Sequence, residues 1–197
     1  MFTGIIREVG RVKALERTEA GARVTIEAPE AAQSLVEGGS IAVDGVCLTA
    51  TSIQGGAFVA DVVPETIRRT RFSEVDTNSR VNLEAPLRAG DLLDGHLVQG
   101  HVDGVGEVVE VRQEGTQTWV TVAPGEALAP FLAQKGSVAI NGVSLTIADA
   151  QPTTFSVALI PTTLKWTNLN ELNVGSRVNL EVDILARYVA RLREMTK

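Results

Sequence analysis

The sequence is short of the groups from which many sites are built. It holds a single cysteine, Cys47, in 197 residues. No disulfide can close within the chain, and cysteine usage lends no support to an oxidising compartment. Aromatic residues are only 4% of the total, so any flat heterocycle must be held mainly by aliphatic walls and backbone polar groups. Positive charge is not in excess: the net charge is −6 and the pI about 5.0. A nucleic-acid surface needs clustered cations to neutralise phosphates. The one dense basic run, Arg68, Arg69 and Arg71, reads as a solvated helix face. No run approaches the roughly 18 apolar residues of a membrane span, and the N-terminus lacks a basic stretch followed by an apolar one. A cytoplasmic protein that engages neither nucleic acid nor membrane is expected.

What is present is an ordinary globular balance of 44% apolar and 21% charged residues, in a length that fits one large or two small domains. The decisive feature is that the chain is written twice. Ser40–Glu84 laid on Ser137–Glu181, without a gap, gives 18 identities in 45 positions, ending in Ser-Arg-Val-Asn-Leu-Glu both times. The starts match too, Met1–Ile6 on Leu97–Val102 and Gly10 on Gly106, but at an offset shorter by one residue. The period is far longer than that of a solenoid. Two homologous domains are therefore expected, 1–96 and 97–182, followed by a tail, 183–197.

Within each half, period-two patterning dominates, as in Arg23–Glu27, Val46–Ala50 and Arg80–Glu84. Gly38-Gly39 and Gly55-Gly56 interrupt it, and short helices are expected to begin at Pro29 and Pro64. Many short strands with little helix predict a mainly β fold of two small antiparallel β-barrels, each closed to protect its edges. The tail differs. Apolar residues at 184, 185, 188, 189 and 192 fall on one helical face, with Asp183 placed to cap the N-terminus. That stripe needs a partner, either its own chain or, as the better reading, a second copy.

Several chemistries lack their residues. His96 and His101, the only histidines, are five apart, opposite on a strand and about 140° apart on a helix. With one cysteine besides, neither half offers three or four zinc ligands of nitrogen and sulfur. A phosphate-binding G-x-x-x-x-G-K-[ST] loop, a full dinucleotide fingerprint and a G-x-S-x-G elbow are all missing. Binding and orientation, with a few side chains, must do the work, and no cofactor or metal is expected.

Four strings carry a resemblance: Met1-Phe2-Thr3-Gly4-Ile5-Ile6, Asp44-Gly45-Val46-Cys47-Leu48-Thr49, Gly95-His96-Leu97-Val98-Gln99-Gly100-His101-Val102, and Asn141-Gly142-Val143-Ser144-Leu145-Thr146. With the duplication, they closely resemble the riboflavin synthase family of two lumazine-binding repeats, over essentially the whole chain. The resemblance implies Greek-key barrels and a dismutation of two 6,7-dimethyl-8-ribityllumazine molecules. One gives a four-carbon unit to the other, yielding riboflavin and 5-amino-6-ribitylamino-2,4(1H,3H)-pyrimidinedione. It implies a homotrimer held by the C-terminal helix, with the site between the N-terminal barrel of one chain and the C-terminal barrel of its neighbour. Lumazine synthase, which makes the substrate, becomes a candidate partner.

The resemblance also implies a site. Cys47, His101, Ser144, Asp183 and Lys135 are its expected catalytic residues. Substrate contacts are expected from Phe2, Gly4, Ser40, Thr49, Val63, Glu65, Thr66, Gly100, Thr146, Ile160, Pro161 and Thr163. Positions kept in both halves, such as Thr49 with Thr146 and Thr66 with Thr163, are read as ligand-binding, although strand and turn preference alone accounts for threonine there. Positions that differ, Cys47 against Ser144, Ile5 against His101 and Gly38 against Lys135, are read as dividing the labour. His101 titrates nearest neutrality and suits a base. Cys47 or Ser144 offers a nucleophile or a hydrogen bond, though a lone cysteine is more often a small buried hydrophobe. Lys135 faces a developing charge or simply turns the chain before Gly136. Phe2 is expected to order the N-terminal segment over the pocket, and His96 to be structural, near the linker. The rival readings are a lumazine or flavin carrier without chemistry, and a tandem barrel with no small ligand.

Overall fold

The computed structural model describes residues 1–196; Lys197, the last residue of the expected tail, lies outside the described residues. The first half forms β1 (Glu8–Thr18), β2 (Gly21–Glu27), β3 (Ser40–Val43), β4 (Val46–Gln54), β5 (Ala57–Val62) and β6 (Arg80–Glu84). They close into an antiparallel barrel ordered β1-β2-β5-β4-β3-β6. The second half repeats this with β7 (Gly104–Glu114), β8 (Gln117–Ala123), β9 (Ser137–Ile140), β10 (Val143–Ala150), β11 (Phe155–Leu159) and β12 (Arg177–Val182), in the equivalent cyclic order. Closure pairs every strand on both sides and leaves no edge to template aggregation.

Alternation fills the barrels. On β2, Val24 and Ile26 are fully buried, while Arg23 is exposed and pairs with Asp61. Ile41, Phe58 and Leu83 complete the first core, and Ile140, Phe155 and Leu180 do so in the second. Each such side chain contributes about 1.5–3 kcal/mol on burial. The one-residue change of offset falls between β8 and β9. There a 3-10 turn, Ala129–Phe131, replaces helix α1 (Ala31–Ser34) of the first half. The expected helix at Pro64 is α2 (Pro64–Arg69), matched by α3 (Pro161–Trp166), each with proline in its first turn.

Two strands depart from the period-two expectation. In β6, Val81, Asn82, Leu83 and Glu84 are all buried, and β12 is buried from Val178 to Val182. Their outer faces meet the opposite barrel, so polar side chains there enter a hydrogen-bond network instead of water. Asn82 Nδ2 donates to the Asn141 carbonyl at 2.9 Å and to Asn168 Oδ1 at 2.9 Å, and its Oδ1 accepts from the Asn168 N–H at 2.7 Å. Across the pseudo-twofold, Asn179 Nδ2 donates to the Asp44 carbonyl at 2.8 Å, and its Oδ1 accepts from the Arg71 N–H at 2.7 Å. Asp44 Oδ1 takes the Asn82 N–H and Asn168 Nδ2, each at 2.8 Å, while Oδ2 takes Arg71 Nη1 at 2.8 Å.

Arg71 therefore departs from the solvated-helix reading. Arg68 and Arg69 do lie exposed on α2, paired with Glu65. Arg71 has left the helix for a 3-10 turn, Arg71–Ser73, and neutralises a buried carboxylate. The reason is tertiary: Asp44 is 1% exposed, and an unpaired charge that deep would be costly.

The tail is α4 (Ile184–Met195), capped by Asp183, whose Oδ1 accepts from the Leu185 N–H at 2.9 Å. Arg187 ties it down through Asp103 and the His101 carbonyl, each at 2.9 Å. Its apolar stripe does not fold back: Leu185, Tyr188, Val189 and Leu192 are all exposed. Among the described residues no helix is long and apolar enough to cross a membrane.

Because Asn82 serves both barrels, Asn82→Ala leaves the Asn141 carbonyl and the Asn168 N–H without partners. The expected loss is about 2–4 kcal/mol of unfolding free energy, read by urea denaturation.

Candidate active site

The segment before each barrel crosses to the other one. Phe2 and Val98 exchange backbone hydrogen bonds of 2.7 and 3.1 Å, so the two segments run antiparallel between the barrels. Phe2 is fully buried there with Ala42, Val98 and Ala139; it packs the seam between the barrels and anchors the segment that carries Gly4.

A buried carboxylate holds each segment. Glu84 Oε1 accepts from the Thr3 N–H and hydroxyl, both at 2.7 Å, and Oε2 from the Gly4 N–H at 2.9 Å. Glu181 does the same for the N–H groups of Gln99, Gly100 and His101, at 2.7, 2.9 and 3.0 Å. Burial pushes both carboxyls above the ordinary glutamate range, and the N–H donors pull them back in part. Burial does the same to Asp44, against the pull of Arg71.

The clamped segments deliver glycines to the two positions that differ. The Gly4 carbonyl accepts from the Ser144 N–H at 2.8 Å, and the Gly100 carbonyl from the Cys47 N–H at 2.9 Å. Both glycines have positive φ, +77° and +79°. A Cβ on Gly4 would come within 2.6 Å of Ser144 Cβ, and one on Gly100 within 2.6 Å of Cys47 Cβ. Each strand-borne Cys or Ser is thus roofed by the other half's segment, and only glycine fits.

This crossing redistributes the expected site residues. His101 follows Gly100, whose carbonyl meets the Cys47 N–H, and Val102 packs on the first core; His101 is therefore exposed on the side of the first barrel. It does not join Ser144, although both belong to the second half of the sequence. The imidazole that reaches Ser144 is His96, 8% exposed, with Nδ1 at 2.7 Å from Ser144 Oγ. Burial depresses its pKa and the charge of Asp183 opposes this. His96 is not merely a linker residue, and its Nε2 is buried without a protein partner.

Ser144 opens into a cleft of about 520 Å³ walled by Gly4, Ile5, Ile6, Val143, Thr162, Thr163 and Trp166. Ser40 and Thr49 are paired in register on β3 and β4 beside Cys47, with Thr49 exposed. Thr146 is exposed on β10, two residues beyond Ser144. Val63 and Ile160 are half-exposed at the N-terminal ends of α2 and α3. Pro161 opens α3 and lies exposed, as does Glu65 on α2, where its carboxylate engages Arg68 and Arg69. The Thr66 and Thr163 carbonyls accept from the hydroxyls of Thr70 and Thr167, each at 2.7 Å. Lys135 is exposed at φ +67°, the same left-handed turn as Gly38 at φ +78°. The turn explains its backbone, and its side chain meets no partner among the described residues.

The lumazine binding domain family matches residues 3–86 and again 99–183. The chain belongs to this family. The chain is 43% identical to the riboflavin synthase of Actinobacillus pleuropneumoniae, over 96% of this chain and 88% of that one. It is 43% identical to that of Mycobacterium bovis, over 98% of each. A crystal structure of LumP complexed with riboflavin superposes with a TM-score of 0.87 at 28% identity, covering 92% of this chain and 99% of that one.

Glu84, Glu181 and His96 escape a reading by motif. A glutamate at an outward-reading position of a strand, kept in both repeats, was the available signal for the first two. Nothing local announces that His96 reaches Ser144.

Stability should report His96 through pH. Its folded pKa lies below the ordinary 6.5, so the stability gained by keeping it neutral is present above that value and lost as pH falls through the depressed one. Asp44, Glu84 and Glu181 run the other way, their contribution being lost as pH rises through their raised values. They are common to wild type and His96→Gln, so the difference between the two isolates His96. Urea denaturation should show that difference constant above about pH 7 and moving against wild type below about pH 6.5.

Proposed function

We propose that this protein is a riboflavin synthase, converting two 6,7-dimethyl-8-ribityllumazine molecules into riboflavin and 5-amino-6-ribitylamino-2,4(1H,3H)-pyrimidinedione. The observation that carries this reading is the pair of equivalent half-sites, each a barrel strand roofed by the other repeat's clamped glycine. A reaction between two identical molecules needs two similar pockets, and orienting both reactants lowers the barrier by on the order of 7–11 kcal/mol. No outside oxidant or reductant enters, because the four carbons lost by one lumazine are gained by the other.

The half-sites differ where chemistry demands it. In the second, Ser144 and His96 share a hydrogen bond, and the Asp183 carboxylate opposes the lowering of the imidazole pKa by burial. A neutral imidazole there accepts a proton from Ser144 or passes one to it, and the hydroxyl meets the cleft. In the first, Cys47 and His101 stand together beneath and beside Gly100. Methyl deprotonation on one ring and attack on the other are thereby given separate groups. Residues 1–96 and 97–182 act as the two lumazine-binding units. The exposed stripe of α4 supports self-association to a trimer through 183–197, which would bring the first half-site of one chain to the second of its neighbour.

A carrier without chemistry is the second reading, favoured by the likeness to LumP complexes with riboflavin and with 6,7-dimethyl-8-(1'-D-ribityl) lumazine. The higher identity to riboflavin synthases, at 36–43%, favours the enzyme. Incubation with the lumazine and EDTA, without added cofactor, separates the two. One riboflavin for each two lumazines consumed is expected, whereas stoichiometric binding without riboflavin would establish the carrier. Ser144→Ala and His96→Gln should each lower kcat about tenfold to a hundredfold with KM changed less than about threefold. Equal kcat in all three proteins would remove the dyad from the reaction.

A further inference from the structure

The two half-sites also differ at their rims, in a way that neither the motifs nor the family match describes. On the first barrel, α2 carries Glu65 and Arg69, joined in an ion pair. The equivalent positions on α3 are Thr162 and Trp166, and both line the cleft that holds Ser144. Trp166 is 55% exposed, a large apolar group left in water in a chain with few aromatics. The ammonium of Lys165 lies 5.6 Å from the centre of its ring. An exposed indole on the wall of a ligand cleft leaves apolar area that a ligand entering that cleft would cover.

We infer that Trp166 is a stacking platform for the heterocycle bound in the second-barrel cleft, and that it makes this the tighter of the two sites. The inference rests on the proposed function for the identity of the ligand. A flat, electron-poor bicyclic or tricyclic ring offers the face that an indole prefers. The Lys165 ammonium on the ring adds a cation beside the electron-poor ring's carbonyl oxygens. The first barrel has no counterpart, because the Arg69 guanidinium is held by Glu65. The two sites therefore fill in order, second barrel first.

Riboflavin is the probe, and the variants are Trp166→Arg, which installs the first barrel's residue, and Trp166→Phe, which keeps an aromatic face. Trp166→Arg should weaken the tighter phase of riboflavin binding about threefold to tenfold, by equilibrium dialysis. KM for the lumazine should rise by the same factor with kcat within about twofold. Trp166→Phe should stay within about threefold of wild type. Contact itself has a signature, a long-wavelength absorption shoulder from flavin stacked on indole, present in wild type and lost in Trp166→Arg. Wild-type affinity and KM in Trp166→Arg, or an effect confined to oligomeric state, would overturn the inference. A wild-type protein that binds riboflavin with the shoulder but makes none from the lumazine would sink the proposed function and leave the stacking standing.

Discussion

The two barrels are fixed to one another by a ring of hydrogen bonds that neither could close alone. Asn82 and Asn179 each reach across the seam, and the turns at Asp44 and Asn141 accept them. Buried polar groups of this kind cost most when left unpaired, so each barrel's seam strand is acceptable only in the presence of the other. Everything at the site follows from the resulting orientation. Once the barrels face each other, the segments containing Phe2 and Val98 can pair between them, and Gly4 and Gly100 arrive over Ser144 and Cys47.

The duplication supplies symmetry, and a few substitutions break it. Asp44 and Arg71 bring a buried ion pair to one side of the seam, where Asn141 and Asn168 stand on the other. Cys47 against Ser144, His101 against Ile5, and Arg69 against Trp166 break it at the clefts. All are single changes on a common backbone. A reaction between two copies of one molecule needs alike pockets for binding and unlike groups for proton transfer, and a duplicated gene meets both needs. His96 adds a further difference, since it lies in the chain between the repeats and its imidazole meets Ser144.

Much of the fold was legible because period-two alternation reports a barrel strand whenever one side faces a core and the other faces water. It failed at β6 and β12, where both sides are buried, and the same Ser-Arg-Val-Asn-Leu-Glu string that proved the duplication hid the seam it builds. The expected site residues were gathered from a few short strings, but where the fold places each of them was not legible. Which histidine stands by which strand depends on the crossing of the segments, which sends His101 to the first barrel and leaves His96 with Ser144. Arg71 looked like one of three surface cations until Asp44 was found buried beside it.

The sequence by itself determined the repeated domain, the strand pattern, the capped amphipathic tail and the identity of the groups available for chemistry. Each of these depends on contacts within a few residues or on a comparison of the chain with itself. Only the tertiary structure decided which half completes which site, why glycine is required at Gly4 and Gly100, and which histidine is buried against Ser144. Those outcomes depend on pairs of atoms separated by 48 to 140 residues in the chain, brought together by the seam, and no local pattern encodes the distance between them.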